Sequence, residues 1–295
     1  MKHKSLLPTE KQKLLKLDKN LASSFILDVP LSTFEVTQWR DGKPLQAQDC
    51  LAEETPVALI YNGVSHAVML ATAQDLEDFA LGFSLSEGIV QSASELYRIE
   101  VQMQANGIEL YCEIASERFV QLKERRRTLA GKTGCGLCGA ESLDQAVRYP
   151  KPLLSDAVFA AESIERGLQA IQSQQVMQQK TGATHASAYV LADGTVSVVR
   201  EDVGRHNALD KLIGALEKMR TKQGQLATGF VITTSRASFE MVQKTASAGI
   251  CMLVAVSAPT GLAVRIAEQC GLALVGFARE NRYVVYCHGE RILNQ

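Results

Sequence analysis

In the first half of the chain, short apolar runs alternate with turn signals. Residues 57–61 and 64–70 flank Asn62-Gly63, and both of these turn residues tolerate positive φ. This pattern predicts a β-hairpin. We expect Thr72 to cap a helix that follows the hairpin, because apolar residues recur there at helical spacing until Gly88, a plausible stop signal.

A second hairpin signal, Asn106-Gly107, joins residues 98–103 to residues 108–114. Residues 118–127 have a helical pattern and lead into a glycine-rich segment. Together with the first hairpin and helix, these elements predict a small α+β unit.

The second half follows a different pattern. Residues 162–179 predict one helix, and residues 186–191 and 196–200 predict a hairpin across Asp193-Gly194. Helices then alternate with apolar strands, in the order helix 205–219, strand 230–233, helix 238–248, strand 251–256, helix 262–270 and strand 272–277. Such alternation predicts a largely parallel sheet covered by helices on both faces.

These patterns divide the chain into segments of different character. The predicted segments are a flexible tail at 1–22, the small α+β domain at 23–127, a mobile loop at 128–140 and a three-layer α/β domain at 141–295. A length of 295 residues is consistent with about two domains.

Composition and charge exclude several classes of protein. The net charge of −1 gives no general attraction to nucleic acid or to a membrane surface. No stretch reaches the ~18 apolar residues of a membrane span, and the N-terminus lacks a long apolar core. The seven cysteines are odd in number, and five are scattered, mostly within apolar runs, as buried reduced thiols would be. We therefore expect a cytoplasmic protein.

The segment with the clearest chemistry is a CxxC pair, Cys135 and Cys138, set among glycines. Glycine leaves the backbone free and the sulfurs uncovered, while Arg126, Arg127 and Lys132 favour the thiolate. The alternative is half of a structural zinc site, but the chain offers no second Cys/His pair at ligand spacing. The pattern favours a chemically active thiol pair.

The loops that follow the predicted strands share small, hydroxyl and cationic residues. These loops are 200–206, 233–236, 257–261 and 277–282. Ligands of such sheets sit at the carboxyl ends of strands, and arginine, hydroxyls and helix N-termini suit phosphate oxygens. Any one loop is equally compatible with ordinary capping. Four at equivalent strand ends favour a phosphate-bearing ligand.

Several motifs resemble the formate dehydrogenase accessory sulfurtransferase family, FdhD. They occur in the family's order at 54–59, 80–83, 133–143, 199–211, 257–260 and 276–277. The resemblance covers everything beyond the N-terminal tail. One departure is at 182–187, where the family has a double glycine and a second alanine.

The resemblance implies a sulfur relay. A cysteine desulfurase would pass sulfur to Cys135, and the persulfide would serve a molybdenum or tungsten bis-guanine-dinucleotide cofactor before its insertion into formate dehydrogenase. Cys138 would share the sulfur or expel it by forming a disulfide. A homodimer is also expected from the family.

The family's cytidine-deaminase-like fold permits a test for zinc chemistry. Zinc deaminases need H-x-E on one helix and P-C-x-x-C on the next. Here His206 remains, but Ala208 replaces the glutamate, and Ser235 and Ser238 stand in place of two cysteines. Hydroxyls are poor zinc ligands, so we expect neither zinc nor deaminase activity.

Guanine-nucleotide contacts are implied by the resemblance for Phe277, Ala278, Arg279, Glu280, Asn281 and Arg282. Phe277 offers a stacking face and the arginines offer charge, although Phe277 could instead end the core of a strand. Position at strand ends adds Arg205, His206, Ser235, Arg236, Ser257 and Thr260. We expect His185 and His66 to serve the fold.

Two other functions remain open. One is a molybdenum-cofactor-binding chaperone in which no sulfur moves through Cys135. The other is a metal-bridged dimer with one CxxC from each subunit, which the mobile glycine-rich context disfavours. The sequence does not distinguish molybdenum from tungsten.

Overall fold

The structure is a computed structural model that describes residues 30–130 and 148–294, with the backbone alone for residues 125–130. The predicted tail and the CxxC pair lie outside these residues. The described strands are β1 Leu31–Arg40, β2 Lys43–Ala52, β3 Thr55–Tyr61, β4 Val64–Ala71, β5 Leu96–Gln104, β6 Gly107–Ile114, β7 Phe159–Ala160, β8 His185–Leu191, β9 Val196–Asp202, β10 Gly229–Thr233, β11 Met252–Ala255, β12 Ala273–Arg279, β13 Arg282–Cys287 and β14 Ile292–Leu293.

The α-helices alternate with these strands, and short 3-10 helices lie at Ala93–Glu95 and Gly289–Arg291. The described α-helices are α1 Leu76–Ser86, α2 Ser116–Ala130, α3 Ala161–Gln174, α4 Val176–Thr181, α5 Arg205–Gln223, α6 Phe239–Ser247 and α7 Gly261–Cys270. In the described part of the chain, none of them is both long and apolar enough to cross a membrane.

The first unit is a four-stranded sheet, in the order β4-β3-β6-β5, covered on one face by α1. Both predicted hairpins are confirmed, and Asn62 and Gly63 have the positive φ angles that their turn requires. The core between sheet and helix includes Leu59, Tyr61 and Phe79. Preceding this unit, β1 and β2 pair as an exposed two-stranded ribbon that was not predicted.

The predicted cap at Thr72 is wrong. Helix α1 begins at Leu76, after Asp75 in the left-handed region. Thr72 is fully buried, and its hydroxyl donates to Asp202, 130 positions away in the chain. A short hydroxyl side chain serves a local cap or a distant carboxylate equally well, and only the tertiary structure decides between them.

The second unit is a six-stranded sheet in the order β13-β12-β11-β10-β8-β9. Helices α5, α6 and α7 cover one face and α3 packs on the other, so the predicted three layers are confirmed. The expectation of a largely parallel sheet is wrong, because only β10–β11 and β11–β12 pair in parallel and the other three pairings are antiparallel. The sheet is mixed.

The predicted helix 162–179 is two helices, α3 and α4, which meet at Gln175. The side chain of Glu201 stabilises the second of them by accepting hydrogen bonds from the backbone N–H groups of Met177 and Gln178, at 2.9 and 2.8 Å. The other predicted helices and strands of this half are confirmed, with ends that shift by one to four residues.

The two units are joined where α1 crosses α5. Neither Gly82 of α1 nor Gly214 of α5 has room for a Cβ atom. A Cβ on Gly82 would lie 1.7 Å from the carbonyl oxygen of Asp210, and one on Gly214 would lie 1.9 Å from that of Asp78. The helix backbones are therefore in direct contact, and the units share one continuous interface.

Candidate functional site

The carboxyl ends of β10, β11 and β12 lie side by side at one edge of the sheet. Backbone hydrogen bonds join the loops that follow them. Ser257 N–H donates to the carbonyl of Ser235 at 3.3 Å, and Phe277 N–H donates to that of Ser257 at 3.1 Å. Three predicted site residues thus form a contiguous row, the strand-end row. Thr260 is tied to the same row through Ala237, at 3.0 Å.

Phe277 has an unusual conformation. Its φ is +52°, in the left-handed region that bulky residues rarely adopt, and its side chain is 40% exposed. The β12–β13 register is interrupted between Gly276 and Arg279, which accommodates this conformation. Phe277 therefore does not end the core of its strand. The backbone instead holds an aromatic face towards solvent, at an energetic cost of about 1–3 kcal/mol, and such strained residues are common at functional sites.

Other predicted side chains in this row have structural partners. Ser235 is 3% exposed, and its hydroxyl bonds to Thr233 Oγ1 and the Arg236 carbonyl, both at 3.0 Å. Thr260 caps α7 by accepting from the N–H of Ala263. The Ala278 side chain is buried in the core. In this structure these three residues shape the loops, and their side chains are not presented to a ligand.

Four predicted arginines make no hydrogen bond or ion pair with another described residue: Arg205, Arg236, Arg279 and Arg282. Nε of Arg205 is buried without a hydrogen-bond partner, although the charge of Arg205 contributes to the lowered pKa of Glu240. Arg279 and Arg282 stand opposite each other in the β12–β13 ladder. The residues between them, Glu280 and Asn281, are exposed at the turn, with φ of +58° at Asn281. Two arginines on the same hairpin as an exposed aromatic ring suit a phosphate-bearing aromatic ligand.

His206, in the first turn of α5, contacts the start of helix α6. Its Nε2 lies 2.9 Å from Glu240 Oε2 and 3.4 Å from Ser238 Oγ. The hydrogen bond from His206 lowers the pKa of Glu240, which favours the carboxylate. Ala208 is fully buried. Among the described residues, no three His, Cys, Asp or Glu side chains are grouped to hold a metal ion.

The motif at 199–211 also supplies buried charges that sequence reasoning missed. Lys211 Nζ lies 2.7 Å from Asp202 Oδ2, and neither side chain is exposed. Thr72 donates to the same oxygen through its N–H and its hydroxyl, at 3.0 and 2.9 Å. Asn207 donates to Asp202 Oδ1 and to the carbonyl of Leu70. We name Thr72, Asp202, Asn207 and Lys211 the interdomain clasp.

A second buried cluster lies nearby. Lys244 Nζ contacts both carboxylate oxygens of Asp210 at 3.0 Å and Glu87 Oε1 at 2.9 Å. Burial alone would lower the pKa of Lys244, but the carboxylates of Asp210 and Glu87 raise it by more than burial lowers it. The net shift of the pKa is upward, so the ammonium form prevails. The guanidinium of Arg148, where description of the chain resumes, also bonds to Glu87. The described chain therefore resumes beside this cluster.

Cys135 and Cys138 lie outside the described residues. The other five cysteines are free thiols, and all but Cys50 are buried. Burial raises the pKa of Cys112 to about 12 and that of Cys287 to about 11. It also raises the pKa of Cys270. These three thiols stay protonated and poorly nucleophilic at neutral pH, so they are unsuited to carry sulfur.

The fold and the site define a mixed α/β protein whose main sheet carries an exposed aromatic ring and several arginines near one edge. The model of the FdhD/NarQ family matches residues 52–293, and the chain belongs to this family. "Sulfur carrier protein FdhD" of Cupriavidus necator is 58% identical over 264 residues, covering 90% of this chain and 91% of that protein. The protein of the same name from Variovorax paradoxus is 50% identical over 270 residues, covering 90% and 96%.

A solved structure supports the fold. The crystal structure of a candidate formate dehydrogenase accessory protein from Desulfotalea psychrophila superposes with a TM-score of 0.68. The match covers 89% of this chain and 99% of that one, at 24% sequence identity. The arrangement of helices and strands is therefore shared, despite limited sequence similarity.

Proposed function

We propose that this chain is a sulfur carrier for formate dehydrogenase. It takes sulfur from a cysteine desulfurase onto Cys135 and delivers it to a molybdenum or tungsten bis-guanine-dinucleotide cofactor. Relatives at 50–58% identity bear the name sulfur carrier protein. The CxxC pair supplies the thiol chemistry, and the raised thiol pKa values of Cys112, Cys270 and Cys287 disfavour those alternatives.

The observation that carries the nucleotide part of the proposal is the exposed Phe277 with its left-handed backbone. A guanine ring would stack on this face, and the unpartnered guanidinium groups of Arg279 and Arg282 would bind phosphate oxygens. Both arginines lie within five residues after Phe277, in the β12–β13 hairpin. An aromatic platform and two cations on one short hairpin fit the two chemical parts of a guanine nucleotide.

In this proposal, sulfur transfer consists of two successive displacement reactions at sulfur. The Cys135 thiolate attacks the terminal sulfur of the desulfurase persulfide, whose S–S bond breaks to release the desulfurase thiolate. Cys138 then attacks Sγ of Cys135, forming a disulfide and releasing hydrosulfide as the ligand for the metal of the client cofactor. The two electrons that reduce the transferred sulfur to hydrosulfide come from the two cysteines, which become a disulfide. An external thiol reduces this disulfide afterwards.

Persulfide loading tests this proposal directly. After incubation with a cysteine desulfurase and cysteine, intact-mass analysis is expected to show the addition of sulfur to the protein, removable by a thiol reductant. A chain that gains no sulfur but still binds the cofactor would instead be a cofactor-binding chaperone, and the sulfur-carrier proposal would fail.

Charge reversal at the β12–β13 turn tests nucleotide binding. Guanosine diphosphate is expected to raise the melting temperature in a concentration-dependent way. Arg279→Glu or Arg282→Glu should reduce that shift, because each removes an attraction for phosphate and adds a repulsion. Arg265→Glu, an exposed change on α7, is the matched control and should respond like the wild type. Wild-type responses from both reversed variants would place the nucleotide elsewhere.

We also propose that the six-stranded unit is a cytidine-deaminase-like domain that has lost its metal. His206 and Ser238 lie 3.4 Å apart, in sequence positions where deaminases carry two zinc ligands. A hydroxyl in place of a thiolate supports the proposed absence of zinc. A homodimer in the cytoplasm completes the proposal, with a cysteine desulfurase and formate dehydrogenase as its partners.

A further inference from the structure

The outer face of the four-stranded sheet lies opposite α1 and the core. Val68 and Leu70 of β4 point outward on this face, since Ala67, Met69 and Ala71 pack inward. The side chains of Val68 and Leu70 are 62% and 54% exposed. A sheet face in contact with water normally carries polar side chains, so two large apolar residues on it indicate a surface suited to packing.

Strand pairing extends this apolar surface onto β3. Pro56 is paired with Leu70, and Ala58 is paired with Val68. Ile60 lies two residues further along β3 and faces the same way, because its neighbours in the chain belong to the core. Directly paired side chains lie about 5 Å apart, so these five residues form one patch, which we name the apolar stripe.

The other half of the outer face is acidic. Glu109 of β6 is paired with Ala58 of the apolar stripe. Glu113 of β6 and Glu100 of β5 lie on the same face as Glu109, and Arg98 forms an ion pair with Glu100 at 2.7 Å. Because the three glutamates outnumber Arg98, this half of the face favours a cationic partner.

The sequence contains a segment of matching chemistry before the described residues. The first 22 residues of the chain include six lysines and two acidic residues. Leu14, Leu17 and Leu21 recur at intervals of three and four, so they would share one face of a helix. Lys13 and Lys16 would lie beside that face. Such a helix would present an apolar surface next to cations, which matches the two halves of the outer face.

The described chain also begins close to the apolar stripe. The N–H of Glu53, just before β3, donates to the carbonyl of Pro30 at 2.9 Å. At that same end of β3, Pro56 is paired with Leu70. The nine residues from Leu21 to Pro30 can span up to about 30 Å when extended, whereas β3 is only about 23 Å long. The segment can therefore reach the whole stripe.

We propose that residues 9–21 dock as a helix on the outer face of the four-stranded sheet of the same chain. The leucines would cover Val68 and Leu70, and the lysines would face Glu109 and Glu113. Docking would confine the predicted flexible tail to the residues that precede this helix. The inference goes beyond the proposed function, because it involves neither the CxxC pair nor the nucleotide loops.

Carbodiimide cross-linking of the full-length protein tests this contact. The reagent activates a glutamate carboxylate, and a lysine amine in contact with it displaces the activated group to form an amide. Peptide mass analysis is expected to find Lys13 or Lys16 joined to Glu109 or Glu113, with a yield that falls as the salt concentration rises.

Isotope labelling identifies which chain supplies the segment. In a mixture of unlabelled and heavy-nitrogen-labelled protein, both peptides of each cross-linked pair are expected to carry the same label. Pairs that combine the two labels would mean that a second copy or an exchanged segment covers the face, and the proposal would be overturned.

Val68→Lys tests the apolar stripe. It removes an apolar contact and adds a cation that repels the lysines, so we expect the yield of cross-links to fall at least tenfold. Lysine is common on edge strands of natural sheets, so β4 should be retained, which circular dichroism checks. Leu154→Lys is the matched control, because Leu154 is fully exposed and lies outside the sheet. Equal yields from the two variants, or no cross-link in the wild type, would refute the proposal.

A change within the segment gives a second test that leaves the sheet untouched. Amide hydrogen exchange of residues 10–21 is expected to be at least tenfold slower in the wild type than in Leu17→Lys. Leu6→Lys, which lies before the proposed helix, should exchange like the wild type. Equally fast exchange in the wild type and in Leu17→Lys would overturn the inference even if Val68→Lys failed to fold.

Discussion

Gly82→Ala is expected to lower the free energy of unfolding by about 3 kcal/mol or more, or to prevent folding. The new methyl carbon would lie 1.7 Å from the carbonyl oxygen of Asp210, whereas ordinary contact begins near 3.4 Å. The three nearest atoms all belong to the backbone of α5, so α1 and α5 would have to separate. Denaturant unfolding followed by circular dichroism measures the effect.

The matched control for this change is Gly261→Ala at the start of α7. A Cβ there would meet only the end of the Arg265 side chain, at 3.5 Å. We expect a change in unfolding free energy within about 1 kcal/mol for this variant. Similar stability of the two alanine variants would show that the crossing of α1 and α5 is not as close as described.

Cys135→Ser is expected to abolish delivery of sulfur while leaving the protein folded. A serine hydroxyl is not ionised near neutral pH and cannot form a persulfide, so the first displacement is lost. The measurement is formate dehydrogenase activity in a strain that lacks the native protein, together with intact mass after desulfurase treatment. Cys138→Ser should still load sulfur, since its proposed role follows loading, and should support partial formate dehydrogenase activity because an external thiol can replace Cys138 in the release step.

Cys50→Ser provides the control for loss of a thiol. Cys50 is partly exposed on the β1–β2 ribbon, and we expect its serine variant to load sulfur and to support formate dehydrogenase activity. Full activity of Cys135→Ser would contradict the assignment of the carrier. Loss of activity in both Cys135→Ser and Cys50→Ser would show that the assay responds to the loss of any thiol and is not specific for the CxxC pair.

Local signals made part of the fold predictable. Asn62-Gly63 and the alternating runs beside it specify a hairpin without help from distant residues. Asp41-Gly42 is a signal of the same kind, and both residues have positive φ in the β1–β2 turn, so a local signal for this unpredicted ribbon is also present in the sequence. Strand direction was not predictable, because apolar periodicity is the same in a parallel and in an antiparallel strand.

The site was predictable in its position more than in its chemistry. The row of loops at the strand ends follows from the order of elements, and the exposure of Phe277 agrees with its predicted role. The side chains of Ser235 and Thr260 have internal partners that only three-dimensional proximity supplies. Lys211 resembles a solvated helical charge in the sequence, yet the approach of Thr72 and Asp202 makes it a fully buried one.

The interdomain clasp bears on how the protein can be dissected. A fragment confined to the six-stranded unit would lack Thr72 and the rest of the surface that encloses Asp202 and Lys211. It would also uncover the apolar side of α5 and leave Lys244 without Glu87. The six-stranded unit, with the loops proposed to bind nucleotide, and the four-stranded sheet therefore depend on each other structurally, and removing either would alter the part that remained.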